Sequence, residues 1–130
     1  MSSCGLSVSE RIVIATIAVV GFHRWEGALP AVKYLAGTHR HLFTIRAEFG
    51  VSHDDRDVEF HIAQGWLRDA LVRVWGTPSG VCDFGAMSCE MIAERINLAL
   101  WNGPGQRCAS ALEVWEDGEN GARVCFAEVG

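Results

Sequence analysis

His41-Leu42-Phe43-Thr44-Ile45-Arg46-Ala47-Glu48-Phe49-Gly50-Val51 repeats with the period of two that belongs to a β-strand. Phe43, Ile45, Ala47, Phe49 and Val51 share one face, whereas Thr44, Arg46 and Glu48 share the other. Upstream, Arg11 to Phe22 is nearly continuous in Ile, Val and Ala, which predicts a first strand mostly buried on both sides. Arg24 to Thr38, holding Gly27, Pro30 and Gly37, reads as a loop with a short helix around Ala31 to Leu35. The polar run Ser52 to Asp57 is a turn.

Beyond that turn the period changes to that of a helix. From His61 to Trp75, the residues Ile62, Ala63, Trp66, Leu67, Ala70, Leu71, Val74 and Trp75 recur at offsets of three and four. Gly76 to Gly85 connects to a second helix capped by Ser88 and running to about Leu100, with Glu90 in its first turn. Asn102-Gly103-Pro104-Gly105 stops it. Two short strands follow, Ala111 to Glu116 and Ala122 to Glu128, joined by an acidic turn. The order β-β-α-α-β-β predicts one α+β domain over residues 1–130, an antiparallel four-stranded sheet with both helices on one face.

Composition narrows the function classes. Sixteen acidic against eleven basic residues give a formal charge of -5, with no basic stripe to receive nucleic acid or an anionic membrane. The longest apolar run, Ile12 to Val20 with Thr16 inside it, is about half a membrane span. Five cysteines, odd in number and without a CxxC pair, suit reduced thiols and a cytoplasmic location better than a disulfide scaffold.

Thr38-His39-Arg40-His41 carries the most chemistry. On an extended chain His39 and His41 point to one face, in phase with Phe43 and Ile45, and Arg40 points away. His23 ends the preceding strand and can stand beside them if the two strands are neighbours. Three neutral imidazoles would hold a Zn2+ ion and leave a fourth position for water or substrate. The same spacing also suits two ordinary polar residues at a strand entrance and an unrelated surface histidine. His53, among Asp54, Asp55 and Asp57, reads as solvated, and His61 stands at a helix start; neither is expected to ligate a metal. Glu116 shares the inward side of its strand with Leu112 and Val114, so it needs either a protein Arg or a ligand offering paired N–H groups. Trp25 is placed to line a pocket, and Cys89 beside Glu90 lies at a helix start.

In this order the motifs resemble the 6-pyruvoyl-tetrahydropterin synthase family, which includes 6-carboxytetrahydropterin synthase, over roughly Ile12 to Phe126. Gly21-Phe22-His23 and His39-Arg40-His41 stand where that family has a histidine and a His-Gly-His. Met87-Ser88-Cys89-Glu90 resembles its Pro-Thr-Ser-Glu, and Val114-Trp115-Glu116-Asp117 its Val-x-Glu-Thr. The resemblance implies the tunnelling fold, zinc on His23, His39 and His41, and a pterin- or purine-like ligand anchored by Glu116 with Glu90 nearby. It also implies a homo-trimer of sheets or a stacked hexamer. The family's loop cysteine has no counterpart in Val32 to Gly37, and its Asp-His pair is missing between Ala70 and Met87. Lys33, Tyr34 and Asp83 remain as polar stand-ins. Two functions are therefore expected of such a chain: a divergent lyase on a reduced pterin-like substrate, or a catalytically inactive binding, regulatory or structural protein.

Overall fold

The computed structural model describes residues 4–128. β1 (Arg11–His23) and β2 (His39–Val51) pair antiparallel along their whole length, from Arg11 opposite Val51 to His23 opposite His39. A 3-10 segment, Pro30–Ala36, fills the connection between them. Helix α1 (Phe60–Trp75) follows, then a two-residue strand β3 (Cys82–Asp83) and helix α2 (Cys89–Trp101). The hairpin β4 (Ala111–Glu116) and β5 (Asn120–Cys125) completes the chain.

The α+β class stands, and the sheet differs from expectation in one respect. It has five strands in the order β3-β1-β2-β4-β5, and β3 runs parallel to β1 through Gly21 and Phe22. The sheet is therefore mixed, its four longer strands antiparallel. Cys82–Asp83 is too short to show any periodicity, so the sequence reads as a connector there. Its docking has a clear physical cause. A Cβ on Gly21 would meet the Phe84 ring at 2.5 Å, so glycine alone lets that ring seat against β1.

Both helices cover one face of the sheet. α1 lies on β1 and α2 on β4 and β5, sharing a single core with Ala15, Ile17, Phe43, Ile45, Ala47, Phe49, Leu112 and Val114. Phe43, Ile45, Ala47 and Phe49 are fully buried, as their alternation requires. Each such phenylalanine contributes about 1.5–3 kcal/mol by leaving water. The side-chain hydroxyl of Ser88 accepts the Met91 N–H at 3.2 Å and caps α2. Glu59 does the same for α1, accepting from His61 and Ile62. Within α1, Ile62 is 56% exposed and lies outside the buried stripe.

Two further expectations are corrected. β1 is not buried on both sides, because Ile12 and Ile14 face away from the helices and are 40% and 43% exposed. Apolar composition alone cannot distinguish a covered face from an open one. The last strand is Asn120–Cys125, displaced toward the turn from the expected Ala122 to Glu128.

The open face of β2, β4 and β5 carries a closed polar network. Arg46 bridges Glu48 and Glu113 at 2.9 and 2.6 Å, and Arg123 bonds to the same two carboxylates. The Trp115 indole N–H takes the remaining oxygen of Glu113 at 2.8 Å. Arg123, through its hydrogen bonds, and Arg46 beside it hold the Glu48 carboxyl below its ordinary range. All five cysteines are free thiols, Cys82 and Cys89 buried and the others exposed.

Candidate metal centre

The strand register assembles the histidines. His23 stands directly opposite His39, and His41 follows two residues along the same face of β2, opposite Gly21. The three rings meet with centroids 4.5, 5.3 and 5.0 Å apart and planes 68–82° to one another. One nitrogen from each lies within 4.8 Å of the others, a group able to hold a metal ion. Zinc bonds of about 2.0–2.1 Å put neighbouring ligands about 3.4 Å apart, so closing on an ion takes only small ring rotations.

Each ring is fixed from behind. His23 Nδ1 donates to the Met87 carbonyl at 3.0 Å, and His39 Nδ1 donates to the Gly37 carbonyl at 2.9 Å. His41 Nδ1 lies 2.6 Å from a carboxylate oxygen of Asp117. All three partners accept hydrogen bonds, which places the protons on Nδ1 and leaves the Nε2 lone pairs for a cation. The Nε2 atoms of His23 and His41 are buried and make no hydrogen bond.

Glu116 sharpens this arrangement. Its carboxylate oxygens lie 3.0 Å from His23 Nε2 and 3.6 Å from His41 Nε2. An unprotonated imidazole nitrogen and a carboxylate oxygen are both acceptors, and at such distances they repel unless positive charge stands beside them. Burial lowers the His23 pKa, opposed by its hydrogen bond to the Met87 carbonyl and by the Glu116 charge. A metal ion on the three imidazoles would supply positive charge there, and the residues present fit one.

A cavity of ≈ 470 Å³ opens beside the rings. Trp25, Leu35, Met87 and Met91 give it apolar walls, and Glu116, Glu90 and Asn120 add polar groups. The structure thus brings His23, His39, Glu116, Glu90 and Trp25 to one cavity; His41 does not line it and adjoins it through the His23 and His39 rings. Lys33 and Tyr34 stay in solvent and do not line it, and Asp83 accepts the Gly85 N–H in a turn. His53 and His61 lie apart with local acidic partners, Asp57 and Glu59.

Three contributors escape sequence reasoning. The Met87 carbonyl and Asp117 reach the histidines across 64 and 76 residues, and no local pattern signals either contact. Cys89 is the third: its thiol donates to Glu116 at 3.6 Å from inside the cavity wall. Burial, followed by the Glu116 charge, pushes the Cys89 thiol up to about 12, so the group is a held proton and not a ready nucleophile.

Among the described residues, no helix is long and apolar enough to cross a membrane. No family model matches the sequence. No curated protein is significantly similar to it. In fold, the chain is similar to the crystal structure of the uncharacterized protein WS1659 from Wolinella succinogenes, with a TM-score of 0.65 at 13% identity over 92% of this chain and 100% of that one.

Proposed function

We propose that this chain binds one zinc ion through His23, His39 and His41 and is a divergent lyase acting on a reduced pterin-like substrate, akin to the 6-pyruvoyl-tetrahydropterin synthase family. The observation that carries the reading is the pair of buried, unbonded Nε2 atoms facing an acceptor carboxylate. Three imidazoles suit zinc among the biological divalent ions, and a bound zinc supplies Lewis-acid polarisation of a substrate oxygen. Glu116 offers its carboxylate to the N–H edge of a pterin- or purine-like ring, Glu90 stands at the cavity rim, and the methionines and Trp25 pack the ring faces. Cys89 holds a proton against Glu116 within the same cavity.

A second reading, an inactive pterin- or purine-binding protein of regulatory or structural role, is favoured by a specific observation. Lys33 and Tyr34 are exposed and Asp83 is engaged in a turn, so none of the three replaces the missing proton-transfer groups. Purified protein separates the two. Zinc at one per chain by elemental analysis, with turnover of a dihydropterin, supports the lyase. Zinc and pterin binding without turnover supports the binding or regulatory form of the second reading, whereas binding of neither overturns the lyase and leaves the structural form.

The reading extends to assembly as a homo-trimer, or a hexamer of two trimers, in the cytoplasm, without nucleic-acid or membrane partners. Among the described residues, no strand pairs with the outer edge of β1 before Gly21 or with the outer edge of β5. Closed rotational symmetry would join such edges without open-ended growth. Light scattering behind a sizing column should give three or six chain masses; a single mass stable on dilution would defeat this part.

A further inference from the structure

Asp117 sits where a structural explanation would ordinarily suffice. It and Gly118 are the central residues of the β4–β5 turn, with φ of 54° and 69°, closed by the Glu119 N–H donating to the Glu116 carbonyl at 3.0 Å. Asp-Gly is a favoured pair for such a type I′ turn, because both positions need the left-handed region. Yet the Asp117 side chain does not serve the turn. One carboxylate oxygen accepts the Leu42 N–H at 2.9 Å, and the other lies 2.6 Å from His41 Nδ1. The Asp117 N–H donates in turn to the Leu42 carbonyl at 2.8 Å. These contacts lock the end of β4 to β2 at the metal-ligating histidine.

We propose that Asp117 is a positioning residue that sets the tautomer of His41, holding its proton on Nδ1 so that Nε2 faces the metal. A carboxylate is the acceptor that enforces this, because it cannot donate to the ring. The proposal rests on the metal reading above, but its structural half, the tautomer, does not require an ion.

The chemistry of Asn separates the positioning role from the turn role. Asn-Gly suits a type I′ turn at least as well as Asp-Gly, so Asp117→Asn keeps the hairpin. The Leu42 N–H then claims the amide oxygen, and the amide NH2 group is turned toward His41 Nδ1. Two donors cannot face each other, so the ring proton moves to Nε2, where it blocks the metal. In Asp117→Gly water takes the vacated place, and the tautomer is released without being reversed.

Nitrogen-15 NMR of the metal-free protein reads the tautomer, and competition with a chelator reads zinc affinity. For Asp117→Asn we expect the His41 proton on Nε2 and zinc affinity at least about tenfold weaker. Asp117→Gly should weaken zinc less than Asp117→Asn, and unfolding midpoints of the metal-free variants test that both hairpins persist. A wild-type His41 tautomer in Asp117→Asn overturns the proposal, as does zinc affinity within twofold of wild type. If the wild type itself takes up no zinc, the metal reading fails, while the tautomer measurement still decides whether Asp117 orients His41.

Discussion

β2 and β4 carry two polar clusters back to back, and they differ in completeness. On the open face, Glu48 and Glu113 have all four carboxylate oxygens taken by Arg46, Arg123 and Trp115. On the helix-covered face, two imidazole nitrogens are buried without a partner, and a carboxylate stands within 3.0 Å of one of them. Polar groups on the same strands, built by the same pairing, are satisfied by the protein alone on one side and not on the other. Buried polarity by itself therefore does not mark a site here; unmet valence does.

The largest effect should come from breaking the incomplete cluster. His39→Ala with His41→Ala should reduce bound zinc from about one ion per chain to none by elemental analysis. The fold should remain, because the core extends well beyond Phe43, the one buried phenylalanine that meets the rings edge-on at 5.3 and 5.6 Å, to Ile45, Leu67, Ile96 and Leu112. Stoichiometric zinc in that double variant would break the comparison at its centre.

A smaller effect is expected from opening the complete cluster. Glu48→Ala should lower stability by about 1–3 kcal/mol in urea unfolding, toward the lower end because Arg123 reaches solvent. Zinc affinity should not change, since the network is on the opposite face. A change in zinc binding comparable to the loss in the histidine variant would show that the two clusters are one system.

The smallest effect concerns acid. Because the Glu48 carboxyl is held below its ordinary value of 4.5, its contribution is whole above that value and is lost as pH falls through the depressed one. The stability difference between wild type and Glu48→Ala should therefore shrink as pH drops below roughly 4.5. A difference that grows in acid would refute the sign.

How much of this was legible in the sequence depends on the range of the contacts. Alternation placed Phe43, Ile45 and Ala47 inward and carried His39 and His41 with them, because a period of two is a local property. Glu116 was legible as an inward carboxylate for the same reason. His23 needed one further assumption, that β1 and β2 are neighbours, which the register meets. Met87, Cys89 and Asp117 were not legible as partners, since each acts through a contact made only by tertiary packing. The Asp-Gly pair announces a tight turn, and that signal conceals its second task. β3 escaped because two residues cannot display a period, and the open face of β1 escaped because Ile and Val look the same wherever they point.

The separation of 76 positions between His41 and Asp117 has a consequence for synthesis. At about 5–20 residues per second, the ribosome adds Asp117 some 4–15 s after His41. During that interval the residues of β1 and β2, with all three imidazoles, have already been made, whereas Glu116 and Asp117, which stand beside and behind them, do not yet exist. A nascent chain therefore displays its three imidazoles before the groups that orient them, and the candidate site is complete only when the last hairpin docks.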